Sequence, residues 1–241
     1  MLFLNAFETP IERPLEYALE LPLAPPFELI YEDNALLVFN KPSGLLSVPG
    51  KGPEKADCLR TRVQQVYPKA LTVHRLDMST SGILLMARSV ELHRHLSIAF
   101  ANREVEKRYV AVVDGKVAGN SPDNPVDAWQ LIDKPIATDW INRPLQKIDA
   151  SEGKASQTRY RVLSYDDAHN TTRLELAPVT GRTHQLRVHL QSIGHSILGD
   201  HLYASLEVQA KSARLLLHAS ELHLAHPVTG KSLAFQCACP F

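Results

Sequence analysis

The sequence predicts an α+β fold, a single domain organised around a mixed, largely antiparallel β-sheet. Three observations lead there. Two pairs of apolar, β-leaning runs are each joined by a short polar turn, the pattern of hairpins. Only a few segments carry helical spacing. Strands and helices do not alternate regularly, which argues against a parallel sheet of βαβ units.

FELIYEDNALLVFNKPSG, from residue 27, reads as strand, a Glu32-Asp33-Asn34 turn and a second strand, ended by Pro42 and Gly44. Leu59, Val63 and Val66 recur at helical spacing before Pro68, which predicts a short amphipathic helix. HRLDMSTSG then makes a polar turn into Ile83, Leu84, Leu85 and Met86, a buried strand over 83–88. Ser89 suits the N-cap of a helix running to about Ala101. KRYVAVVDG (107–115) reads as a strand. Residues 116–150 show little periodicity, and Pro122, Pro125, Pro135 and Pro144 point to loops. Residues 155–165 and 171–179 form the second expected hairpin, around Asp166 to Asn170. THQLRVHLQSIG (183–194) has helical spacing at Leu186 and Leu190 with Gly194 as its stop, and 215–227 is a late strand.

A chain of 241 residues, 44% hydrophobic and 22% charged, has enough apolar surface for a sizeable core. The first 26 residues differ, with five prolines and alternating glutamates, and read as an extended arm ahead of a domain at 27–241. That arm is too short for a separate RNA-binding domain. No apolar run approaches the ~20 residues of a membrane span, and no signal-peptide pattern opens the chain, so a cytoplasmic protein without membrane contact is expected. Cys58, Cys237 and Cys239 contain no CxxC pair and read as reduced thiols. The formal net charge is zero, yet residues 1–36 hold seven acids against Arg13 alone. Between 58 and 112 there are nine Lys or Arg and four Asp or Glu, so a polyanion partner fits the region around HRLDMSTSG.

Candidate chemical groups are Asp77, Tyr109, Arg182 and the GDHLY turn at 199–203. His184 and His189 are five apart and His93 and His95 two apart, neither the i, i+4 spacing of a zinc helix, so no metal is expected. Neither phosphate-binding glycine motif occurs, and GxSxG is absent, which argues against nucleotide cofactors and serine hydrolase chemistry. A carboxylate, a phenol and a guanidinium in basic surroundings suit nucleophilic chemistry at a glycosidic carbon or an electrophilic ring.

HRLDMSTSG resembles the HRLDxxTSG signature of the RluA-type pseudouridine synthases, which isomerise uridine in RNA. NKPSGLLSVPG, containing Lys41 and Pro42, is similar to that family's first motif, and GRTHQLRVHLQSIGHSILGDHLY to its third. The resemblance spans about residues 28–236. It implies a catalytic domain with its cleft across the sheet and no cofactor. Asp77 then falls on the nucleophile, Tyr109 on the tyrosine that lies against the target base and accepts its proton, and Arg182 on the arginine that pairs with the carboxylate. Arg75 falls on the RNA-binding arginine that holds the nucleotide out of its stack. His74, Leu76, Thr80 and Gly82 are scaffold of the same loop, and Lys41 and Pro42 support it.

These assignments agree with the chemistry. Pseudouridine forms when the N1–C1′ bond breaks, the uracil turns over and C5 joins C1′, with no net gain or loss of atoms. A water-excluding site would tend to neutralise its carboxylate, and a guanidinium within about 4 Å opposes that. Residues 139–160 resemble the branch of the family that lacks an S4 RNA-binding domain and modifies both 23S rRNA and the tRNA anticodon stem-loop. RNA, specifically 23S rRNA and tRNA, is therefore the expected partner of a protein acting as a monomer. Two alternatives compete: a catalytically silent RNA-binding protein or RNA chaperone on the same fold, and a small-molecule glycosyl hydrolase using Asp77 as nucleophile. A retaining hydrolase needs a second carboxylate about 5 Å from the first, and none stands near these motifs.

Overall fold

A computed structural model describes residues 27–118 and 129–241. The proline-rich arm of residues 1–26, and Pro122 and Pro125 of the expected loop region, lie outside the described residues.

The first hairpin pairs β1 (Glu28–Glu32) with β2 (Leu36–Lys41). Asp33 closes the turn, its Oδ1 accepting the N–H groups of Ala35 and Leu36 at 2.7 Å each. Next come α1 (Leu59–Val66), β3 (Leu71–Thr72), β4 (Ser81–Ala87) and α2 (Val90–Ala101). Ser89 caps α2 as expected, its Oγ accepting from Leu92 N–H at 3.2 Å. The second half contains β5 (Glu106–Asp114), β6 (Gln130–Asp133), β7 (Ile136–Thr138), β8 (Gln146–Ile148), β9 (Gln157–Asp166) and β10 (Thr171–Pro178). It closes with α3 (Gln185–Ser192), α4 (Leu206–Ala210), β11 (Leu217–Ala225) and β12 (Ser232–Gln236). No helix among these is long and apolar enough to cross a membrane.

One sheet runs in the order β1-β2-β4-β11-β5-β10-β9-β6, with β12 added to β11 and β3 to β4. Every pairing between these strands is antiparallel except β4 with β11. The unbroken apolar runs of β2 and β4 follow from burial on both faces. Leu36, Val38, Ile83 and Leu85 point into a core that includes Leu96 of α2, while Leu37, Phe39, Leu84 and Met86 meet Leu59 and Val63 of α1. A separate core joins Ala111, Val113, Leu174 and Leu176 to Leu186 and Leu190 of α3. The region expected to be loops instead holds three short strands. β6 takes its place by pairing with β9, and β7 pairs with β8. Strands of three or four residues between prolines are too short to show alternation in the sequence.

Candidate active site

Asp77 sits in the loop entering β4, and the first motif clasps that loop from outside the cleft. Ser43 Oγ donates to Ser79 O at 2.7 Å, and Gly44 N–H to Met78 O at 2.8 Å. Ser47 Oγ donates to Leu76 O at 2.7 Å and accepts Leu76 N–H at 3.1 Å. Lys41 is fully buried, its Nζ donating to the carbonyls of Pro42, Leu45 and Met78 at 2.9, 2.7 and 3.1 Å. Burial pushes its ammonium down to about 7, against the attraction of Asp77. The three carbonyls match the three donors of the charged form, a geometry that a neutral amine would leave one donor short.

Within the loop, Thr80 N–H donates to Asp77 O at 3.1 Å, and Leu76 and Thr80 are buried. Gly82 is required by backbone contact. Its φ is +109°, and a Cβ there would lie 2.2 Å from Ala219 O, where β4 meets β11. His74 Nε2 accepts Leu85 N–H at 3.0 Å, and its ring stacks on Phe100 with centroids 4.8 Å apart.

Burial, reinforced by Lys107, pushes the His74 imidazolium down to about 3, from an ordinary value of 6.5. Between those values the unfolded chain binds the proton that the folded chain refuses, so stability falls as pH drops through this window. Urea unfolding at about pH 7 and about pH 4 is expected to show that loss, and His74→Gln to show a shallower pH dependence. Equal slopes in the two proteins would refute the assignment.

Strands at the middle of the sheet bring the other groups to Asp77. Tyr109 comes from β5, Leu217 from β11, and residues 178–187 from the end of β10 and the start of α3. Together with the C-terminal end of α2 they line a cleft of about 580 Å³. Its lining holds five cationic side chains, Arg75, Arg103, Lys107, Arg182 and Arg187, against the single carboxylate of Asp77. A chain of zero net charge thus concentrates positive charge at one site. Arg75 is exposed at the rim. Burial, with a contribution from Asp77, pushes the Tyr109 phenol well above tyrosine's ordinary range, so it is protonated at neutral pH.

The expected partner of Asp77 requires correction. Arg182 is exposed, and its Nη2 reaches Ala155 O at 3.4 Å. Arg187 is the arginine at the carboxylate, with Nη1 3.6 Å from Asp77 Oδ2. Its other edge binds Asp200 through Nε to Oδ2 at 2.8 Å and Nη2 to Oδ1 at 2.5 Å. Asp200 is held in turn by the N–H groups of Leu202 and Tyr203. The physical reason lies in how the chain enters α3. His184 adopts a left-handed conformation (φ 54°), leaving Arg182 outside the helix while Gln185 to Leu190 are all buried. Gln185 fixes this loop by using all its hydrogen-bonding capacity. Its Oε1 accepts from Thr180 Oγ1 and Arg182 N–H, and its Nε2 donates to Gln157 O and to Thr158 Oγ1.

His184 faces Asp77, with Nε2 4.0 Å from Oδ1. Burial pushes its imidazolium down, against the pull of Asp77. Tyr203 hydroxyl accepts Gln146 N–H at 2.9 Å and lies 2.7 Å from His184 Nδ1. In the tautomer that accepts the phenol proton at Nδ1, Nε2 carries the imidazole hydrogen and faces the carboxylate. His189 is structural instead, bonded to Thr158 Oγ1 and Lys134 O. Reading the sequence missed Arg187, Gln185 and the pairing of His184 with Tyr203. The one available signal was a charged residue between Leu186 and Val188, inside a run whose spacing called for burial.

Residues 35–192 match the family model described as RNA pseudouridylate synthase. Over 220 residues the chain is 47% identical to the dual-specificity RNA pseudouridine synthase RluA of Escherichia coli (strain K12), covering 91% of this chain and 96% of that protein. Identity to the Yersinia pestis protein of the same name is 46% over 213 residues, 88% of this chain and 99% of that protein. Among solved structures, human RNA pseudouridylate synthase domain containing 1 superposes with a TM-score of 0.72 at 26% identity, covering 90% of this chain and 85% of that one. The domain containing 4 homologue gives 0.67 at 25% identity, covering 88% of each. A carboxylate loop clasped by the first motif, set in a cationic cleft across a mixed sheet, thus coincides with sequence and fold similarity over most of the chain, which belongs to the RNA pseudouridylate synthase family of uridine isomerases.

Proposed function

We propose that this enzyme isomerises uridines in both 23S rRNA and the tRNA anticodon stem-loop, flipping each target base into the cleft where Asp77 acts as nucleophile. The observation that carries the reading is Asp77 itself, the one carboxylate among five cations, held 3.6 Å from a buried guanidinium. A flipped nucleotide costs a few kcal/mol of lost stacking, least in a loop. Arg75 at the rim can occupy the vacated space with its planar cation.

Arg187 orients the Asp77 carboxylate and attracts its ionised form, and His184 Nε2 lies 4.0 Å from the other oxygen. Attack at C1′ or at C6 places the same demand on that oxygen pair. The N1–C1′ bond breaks, the uracil rotates, the C5–C1′ bond forms, the bond from Asp77 to the attacked carbon breaks to return the carboxylate, N1 gains a proton and C5 releases one. Tyr109 presents its ring to the base. Because its phenol is protonated, it can accept the C5 proton only by passing its own on. Arg182, away from the carboxylate, takes an RNA phosphate. The same reading treats residues 27–241 as one catalytic unit, working as a monomer in the cytoplasm, with residues 1–26 as an appended arm.

Support for two RNA classes comes from the similarity to relatives named as dual-specificity enzymes. Carbodiimide mapping of RNA from a strain lacking the protein, before and after incubation with purified enzyme, tests it. New pseudouridines are expected in both 23S rRNA and tRNA. Modification confined to one class would remove the dual reading and leave the isomerase intact.

A further inference from the structure

The tip of the β7–β8 hairpin, outside the cleft, sets Trp140 and Ile141 side by side in solvent, 70% and 93% exposed. Its own hydrogen bonds shape this tip. Asp139 Oδ1 accepts Asn142 N–H at 3.2 Å, and Oδ2 accepts the Asn142 side-chain amide at 2.9 Å. Asp139 N–H donates to Leu145 O, and Leu145 N–H to Asn142 O, at 3.0 Å each. The Arg143 guanidinium lies 3.7 Å from the Trp140 ring centroid, covering one side of the indole. Arg143 makes no ion pair among the described residues.

The hairpin is joined to the wall of the cleft. Leu145 and Ile148 pack against Ile136, Val188 and Tyr203. Gln146 N–H donates to the Tyr203 hydroxyl, which binds His184 beside Asp77. We infer that Trp140, backed by Arg143, is a nucleobase-stacking platform for an unpaired base of the RNA whose target uridine occupies the Asp77 cleft. The inference rests on RNA entering that cleft. An indole with one side held by a cation matches the π face common to every base, and the cation suits the neighbouring phosphate. Two side chains are far short of the roughly 800 Å² per partner of a stable protein interface.

The test uses the full chain with an unmodified tRNA transcript and its isolated anticodon stem-loop. Trp140→Ala is expected to raise Kd and KM by about 5-fold to about 150-fold, the range of one lost base stack. Trp140→Phe should stay within a few-fold, and the single-turnover rate of both at saturating RNA within about twofold. In Trp129→Phe protein, emission from Trp140 should be quenched by either RNA. Unchanged affinity in Trp140→Ala, or emission unmoved by saturating RNA, would overturn the inference. So would sedimentation showing that Trp140→Ala abolishes self-association while RNA affinity is intact, since the face would then belong to a second copy. Asp77→Asn protein and the Asp77→Asn, Trp140→Ala double variant measured in parallel separate the two readings, because loss of turnover reports on Asp77 and the difference in affinity between the two proteins on Trp140.

Discussion

Asp77→Asn is expected to lower turnover by a factor on the order of 10⁴ or more while RNA binding persists within a few-fold. The amide keeps the size of the carboxylate and removes the negative oxygen, so the proposed nucleophile is lost with little change in shape. Stability should change little, because the Asp77 side chain is 24% exposed and is not the main partner of the buried guanidinium. Tritium release from RNA labelled at uridine C5 reads the chemistry, and filter binding reads the affinity. Turnover equal to that of the unaltered enzyme would remove Asp77 from the mechanism. Loss of binding together with turnover would instead make the substitution uninformative about chemistry, so the circular dichroism melt belongs in the same experiment.

Arg187→Gln is expected to damage both stability and catalysis. The guanidinium and its partner Asp200 have side-chain exposures of 4% and 1%, so removing the cation strands a buried carboxylate, at a cost of about 3 to 5 kcal/mol. Asp77 simultaneously loses the group that orients it. Combining Arg187→Gln with Asp200→Asn removes the stranded charge, so much of the stability should return while turnover stays low. Arg182→Ala is the contrasting case. Among the described residues its guanidinium meets only the Ala155 carbonyl, at the long distance of 3.4 Å, so stability should hold and KM should rise more than kcat falls. The reverse pattern, with Arg182→Ala inactive at saturating RNA and the Arg187→Gln, Asp200→Asn pair active, would restore Arg182 as the partner of the carboxylate.

Local signals made the two hairpins, the three longer helices and the Asp77 loop legible. Asp33, Ser89 and Gly194 act within a few residues of where they stand, and the apolar runs of β2 and β4 announce burial whatever covers them. β6, β7 and β8 were illegible because they are too short for a period and are placed by their pairing partners. Lys41 shows the same limit at the site. As a motif lysine it suggested support for the loop, but its three carbonyl partners come from residues 42, 45 and 78, and only the fold brings them together.

By itself, the amino-acid order determined the reaction family and the α+β architecture and singled out Asp77 as the candidate carboxylate, because each is carried by contiguous motifs whose turns and caps act at short range. Tertiary structure decided which arginine meets that carboxylate, where His184 sits, and that a hairpin joined to the cleft wall carries an exposed indole backed by a cation. Arg182 and Arg187 lie five residues apart in one motif and carry the same charge. They are separated by a left-handed turn at His184 and by burial against β-strands distant in sequence, a packing choice made between remote segments whose one local mark is a charge set between Leu186 and Val188.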